Sequence, residues 1–267
     1  MINRDGNYQH IRLEKQGPVS TVILNRPEVM NALNREIMQE IEQVSLSFLD
    51  DEETRVVIFA GEGRHFSSGA DLNARFAEDD RSLLMQRRQT GLGGRMIRAI
   101  MGIEQVTIAA VQGAALGGGA CIPTACDFRI GTEDCFFGYP EVNLGINLMW
   151  TALPLCVHLI GPARAKKMVM SGEREYADTL LAWGYLDEVV PRAELMERAM
   201  RMAGHYAGQP PIAVQMIKRS INMISAALDQ AVMHMDADQN MLAATSQDRA
   251  EAVQAWFEKR DPEFKGS

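Results

Sequence analysis

The residues best placed to do chemistry lie in three glycine-bearing loops. In residues 114–127, AALGGGACIPTACD, an apolar strand over residues 106–112 leads to Gly117, Gly118 and Gly119, and a helix is predicted at once behind them. Adjacent glycines let a ligand approach the backbone closely, and the helix start behind them offers unpaired N–H groups and the positive end of its dipole. Such a place holds negative charge, either a bound anion or a charge that develops during a reaction. Pro123 is expected near that helix start, where its missing N–H costs little. The same glycines could equally form a tight strand-to-helix turn. A second loop after a strand, residues 61–72, contains Ser67-Ser68-Gly69-Ala70-Asp71, and a third, residues 138–148, carries Glu141 behind Pro140.

The elements that must position these loops follow from the apolar pattern. Short strands are expected at residues 11–13, 19–24 and 55–60, the last a continuous apolar run suited to burial on both faces. Between them, Ile37, Ile41, Val44 and Phe48 have helical spacing, with Asn31 or Asn34 as the cap. Residues 73–89 read as a helix or flap. Short strands are expected around Phe128 and Phe136, and again over residues 186–190. Three times a strand leads into an unusual loop and then a helix, which points to α/β architecture. From Trp150 onward the chain reads as mostly helical, with a helix start at Gly161-Pro162, a stop at Ser171-Gly172 and a helix over residues 177–183. Four further helical stretches are expected at residues 193–207, 211–226, 228–244 and 249–259. Their many methionines suit packing against a second subunit, or within the helices' own core.

Composition narrows the function. The chain has 267 residues, 46% of them hydrophobic, and a net charge of −8. The acidic balance argues against a nucleic-acid surface, where a basic stripe is expected. Cys121, Cys126, Cys135 and Cys156 lack paired spacing and partnered histidines, so no metal site is expected and the thiols read as buried and reduced. No long apolar run or apolar leader occurs, so a cytoplasmic protein away from membranes is expected.

Taken together, the motifs resemble the enoyl-CoA hydratase/isomerase, or crotonase, family. The resemblance rests on NRPEVMNALN, HFSSGADL, VQGAALGGG with its trailing ACD, FGYPEVNLG, AKKMVMSGE and WFEKRDPEF, in that order and nearly end to end. It implies a spiral of ββα turns for residues 1–200 and a C-terminal helical region, residues 201–267, that builds a homotrimer or homohexamer. It implies an acyl-coenzyme A thioester substrate and no permanently bound cofactor. The thioester oxygen would be held by the backbone N–H groups of Ser68 and Gly118, with Glu141 moving the proton. Cys121 stands where many similar hydratases carry a second glutamate. An inert, packed cysteine is the expected reading, with a working thiol as the alternative. That departure leaves two reactions open: syn hydration of a 2-enoyl thioester, placed first, and Δ3,Δ2-enoyl isomerisation through one glutamate. A scaffold that binds acyl-CoA without turnover is a third. The resemblance further implies coenzyme A contacts at Arg26, Val29, Met30, Asn31 and Ala32, at Ala70, Asp71, Leu72 and Gly117, and at Lys259, with Asp71 fixing its loop. The acyl group would lie along residues 73–89 and against Trp150.

Overall fold

A computed structural model describes residues 8–72 and 81–267. Its centre is a six-stranded sheet in the order β1 (Ile11–Gln16), β2 (Val19–Leu24), β3 (Val56–Gly61), β4 (Val106–Val111), β6 (Phe128–Thr132) and β9 (Glu188–Val190). β1 and β2 form an antiparallel hairpin, and every later pairing in this sheet is parallel. β2, β3 and β4 carry apolar side chains on both faces because both faces are covered. One face belongs to the larger core, with Ile37, Ile41 and Val44 of α1 (Arg35–Ser47) packed near Phe59 and Val111. On the other face Leu195, Ala199, Ala203 and Ala207, one helical stripe of the helix Leu195–Ala207, lie against Ile58 and Ile108. That helix spans residue 200, so the expected division of the chain there falls within an element packed on the central sheet.

A second, three-stranded sheet runs β5 (Ala114–Leu116), β7 (Phe136–Gly138) and β8 (Arg174–Tyr176). Isolated bridges between Ser67 and Ala115, and between Leu33 and Ala70, extend its layer. The chain therefore visits one sheet, crosses to the other and then forms a helix, as in β4, β5 and the helix Gly118–Ala125. This gives the expected α/β spiral. Residues 106–112 do not run straight into the glycines, however. The chain turns at Gly113, which has φ +56°, and a second strand intervenes.

Asn34 is the cap of α1: its side chain accepts the Ile37 N–H at 3.0 Å. Asn31 serves elsewhere, donating from its amide to the carbonyls of Glu62 and His65 at 2.9 Å each. Gly161 interrupts the helical stretch Ala152–Ser171 with φ +77° and ψ 161°. Within the C-terminal region, residues 228–244 divide into the short helices Gln230–Met233 and Asp236–Ala243, and Gln247–Glu258 follows. No helix among the described residues is long and apolar enough to cross a membrane.

Candidate active site

The two glycine loops meet. A Cβ built on Gly69 would lie 2.5 Å from the Leu116 carbonyl oxygen and 3.5 Å from the Gly118 nitrogen. Only a residue without a side chain allows that approach. Gly117 has φ +50° and ψ −126°, a region essentially closed to other residues. This turn aims the helix Gly118–Ala125 into the junction. Gly117 donates to the Gly138 carbonyl at 2.9 Å, and its own carbonyl accepts from Ala120 and Cys121. The Gly118 N–H is the first of the helix and has no intrahelical acceptor.

In the other loop the expected donor is spent. Ser68 N–H donates to the Met30 carbonyl at 2.9 Å. Ser67 donates to Ala114 at 3.0 Å, Asp71 to Leu33 at 3.0 Å, and Gly69 to the Ser67 hydroxyl oxygen at 3.2 Å. The Ala70 N–H has no acceptor among the described residues. The structure thus corrects the choice of Ser68: the donor left beside Gly118 is Ala70.

Glu141 lies in the 3₁₀ turn Pro140–Leu144, directly after the buried Tyr139. Its Oε1 would be 2.9 Å from a Cβ at Gly117, so the carboxylate sits against the residue preceding the Gly118 donor. The Tyr139 and Tyr185 hydroxyls lie 2.6 Å from the hydroxyl of Thr124, on the far end of the same helix, which ties the Glu141 loop to it. Cys121 is buried one turn along the helix, and its thiol donates to the Gly117 carbonyl at 3.3 Å. Burial first, then the charges of Glu141 and Asp236, push that thiol well above its ordinary pKa. It therefore stays protonated around neutral pH. Pro123 lies inside the helix rather than at its start, because helical geometry begins already at Gly118. All four cysteines are free and buried.

Beside this junction opens a cleft of 810 Å³, lined among others by Leu33, Ala70, Asp71, Met149, Trp150 and Asn240. Glu141 and Gly118 are not part of that lining. Trp150 connects the two, because its indole packs on the Gly118 backbone. Trp150 and Thr151 are consecutive left-handed residues, φ +63° and +62°, a conformation costing about 1–3 kcal/mol for each. The Thr151 N–H is accepted by Asp236 Oδ2 at 2.8 Å. Burial raises the Asp236 carboxyl pKa and this hydrogen bond lowers it, with burial prevailing. Asp236, with Asn240 and Met241 on the same helix, was not legible as part of the site. It is one acidic residue in a polar stretch, and no local spacing links it to residue 151.

The expected coenzyme A contacts separate into two groups. Arg26 is turned inward, with Nη1 donating to the Ala32 carbonyl at 2.6 Å and lying 3.4 Å from Asp71 Oδ2. Asp71 thereby fastens its loop, and Arg26 and Asn31 act as framework. Val29 and Met30 are exposed, Ala32 is buried and Leu72 is half-buried. Lys259 is exposed and ends the helix Gln247–Glu258 in a left-handed conformation. Of the expected flap, residues 73–80 lie outside the described residues, and Leu83–Thr90 is a helix whose Leu83, Gln86, Gln89 and Thr90 line the cleft. Among the described residues no cluster of His, Cys, Asp and Glu could hold a metal ion.

Comparison with known proteins identifies the family. Residues 14–267 match the family model described as Enoyl-CoA hydratase/isomerase. A crotonyl-CoA hydratase of Syntrophomonas wolfei subsp. wolfei is 34% identical over 96% of this chain and 98% of its own. A carnitinyl-CoA dehydratase of Salmonella heidelberg is 32% identical over 97% and 99%. The crystal structure of an enoyl-CoA hydratase from Mycobacterium avium subsp. paratuberculosis superposes with a TM-score of 0.86 at 26% identity, covering 97% of this chain and all of the other. With its two sheets, its converging glycine loops and Glu141 beside them, the chain belongs to the enoyl-CoA hydratase/isomerase family.

Proposed function

We propose that the protein hydrates a 2-enoyl-CoA thioester, with Ala70 N–H and Gly118 N–H as the oxyanion hole and Glu141 as the proton carrier. The observation that carries this is the junction itself: two main-chain donors at neighbouring positions without acceptors among the described residues, with a carboxylate against Gly117. Proton movement beside a thioester passes through an enolate-like state whose charge collects on the carbonyl oxygen. Fixed donors stabilise that oxygen without reorganising, each worth about 3–4 kcal/mol. Glu141 would take a proton from water as the water oxygen bonds to C3. The π electrons pass to the thioester oxygen, and the proton then moves from the Glu141 carboxyl to C2, so that H and OH are both added and the glutamate is restored. A protonated, buried Cys121 leaves Glu141 to do both transfers. The hydratase and dehydratase names among the relatives support this reaction in its two directions.

The second reading is Δ3,Δ2 isomerisation, in which Glu141 removes a proton from C2 and returns it to C4. It is favoured by Glu141 being the one carboxylate placed against Gly117 among the described residues. Crotonyl-CoA and 3-hexenoyl-CoA separate the two. Loss of the 2-enoyl absorbance from the first supports hydration, and its growth from the second supports isomerisation. Tight acyl-CoA binding with neither change would favour a non-catalytic scaffold.

Residues 201–267 fit an assembly role, as a homotrimer or homohexamer. The helix Pro211–Ser225 buries none of its residues within the chain, and Ile212, Met216, Ile221 and Ile224 are exposed on it. Light scattering on the purified protein tests this. In such an assembly Lys259 would serve a neighbouring subunit's nucleotide.

A further inference from the structure

We propose that Asp236 is a positioning residue that holds the Trp150 indole against Gly118, and that Trp150 so held restricts the cleft to short acyl chains. The proposal rests on the acyl-thioester reading above.

Trp150 and Thr151 are both left-handed, a conformation that bulky and β-branched residues rarely adopt unaided. Something outside the loop must hold them. The Thr151 backbone is buried, and its N–H would be an orphan without Asp236, whose Oδ2 accepts it at 2.8 Å. Asp236 begins the helix Asp236–Ala243, which also contributes Asn240 and Met241 to the cleft. A second tie fixes that helix to the opposite wall: Arg87 of the helix Leu83–Thr90 makes a two-pronged contact with Asp238, at 2.6 and 2.9 Å. The latch therefore belongs to a helix braced from both sides.

The indole has one place to go. It lies between the backbones of Gly93, in the helix Leu92–Met101, and Gly118, and a Cβ at either glycine would overlap the ring. Trp150 is 8% exposed, and what remains exposed faces the cleft it lines. Gly118 is the donor to the thioester oxygen, so the acyl carbons nearest the carbonyl must lie beside this ring. An acyl chain long enough to run past this ring must displace it, whereas a shorter one need not. The substrate class is thus a short-chain enoyl thioester.

The test compares kcat/KM for 2-octenoyl-CoA and crotonyl-CoA in the full-length protein. Trp150→Ala should raise the octenoyl-to-crotonyl ratio by at least about tenfold, the scale on which hydrophobic pockets discriminate chain length. Asp236→Ala should move the ratio the same way, and Asp236→Asn, which keeps an acceptor for Thr151, should restore it. Asp236→Glu, which displaces the carboxylate by one methylene, gives a milder variant with a partial shift if the alanine variant does not fold. In a Trp183→Phe/Trp256→Phe background Trp150 is the sole tryptophan, and its emission should become more accessible to acrylamide in Asp236→Ala or Asp236→Glu. An unchanged ratio in both Trp150→Ala and the Asp236 variants would overturn the proposal. So would unchanged quenching, or loss of crotonyl-CoA turnover in Asp236→Asn with Trp150 still shielded, which would make Asp236 a reacting group. If the parent protein turned over no enoyl thioester, the functional reading would fail, and the quenching arm would still decide the latch.

Discussion

The loop of residues 67–71 and the loop of residues 117–119 both follow a strand and both contain glycine, yet they free a donor by different physical routes. In the first, β pairing selects it. Leu33 donates to the Gly69 carbonyl and accepts from Asp71, so the intervening Ala70 turns its own N–H away from that partner. In the second, helix geometry selects it: the first N–H of any helix lacks an intrahelical acceptor, and Gly117 turns the chain so that this N–H belongs to Gly118. The first donor depends on register, the second on a local turn. In the proposed function the two routes meet at one oxygen position, an anion hole built from backbone alone, which side-chain substitutions would leave intact unless they moved the backbone.

Glu141→Gln is the largest expected perturbation, because it removes the proposed proton carrier and leaves both loops in place. We expect kcat/KM for the active enoyl thioester to fall by about 10²–10⁴-fold. A rate within a few-fold of the parent would show that the loops alone are not organised around this carboxylate. Gly117→Ala attacks the second loop at its turn. A left-handed alanine whose Cβ meets Glu141 should cost about 10²-fold in rate through misplacement of donor and carboxylate. Urea denaturation would show a stability loss of about 1–3 kcal/mol.

Asn34→Ala acts beside the first loop, next to Leu33. Losing the cap should lower stability by about 1 kcal/mol in the same urea measurement and leave KM nearly unchanged. A large change in KM would mean that the Leu33–Ala70 pairing depends on the cap. The smallest effects are expected for Ser68→Ala and Cys121→Ala. The Ser68 N–H is occupied, and the Cys121 thiol, its pKa raised by burial, stays neutral rather than ionising as pH rises through the ordinary thiol range. Both variants should keep rates within about twofold, and the Cys121→Ala pH profile should superimpose on the parent between about pH 6 and 9. An alkaline limb lost with the thiol would assign Cys121 a working role.

Much of the fold was legible because its signals are local. The apolar runs of β2, β3 and β4, the Asn34 cap and the Ile37/Ile41/Val44 stripe each depend on neighbours within a few residues. The loop of Gly117–Gly119 was legible for the same reason, as was the proline-linked Glu141. The Ser68 assignment failed because a backbone donor's availability depends on which strand lies opposite, and Met30 and Leu33 are more than thirty residues away. The inward turn of Arg26 toward Ala32 and Asp71 was hidden for a similar reason: a surface arginine and a framework arginine look alike in one dimension.

The sequence by itself determined an α/β chain with three strand-to-loop-to-helix passages, a helix start suited to developing negative charge, and one carboxylate in the matching loop. These follow from side-chain periodicity and from the backbone freedom of glycine, which act over a few residues. Tertiary structure alone decided which N–H groups remain unsatisfied, that Cys121 is a sealed thiol, and that Asp236 accepts the N–H of Thr151, the neighbour of Trp150, across 85 positions of chain. Those outcomes depend on long-range pairing and burial, which no local pattern encodes.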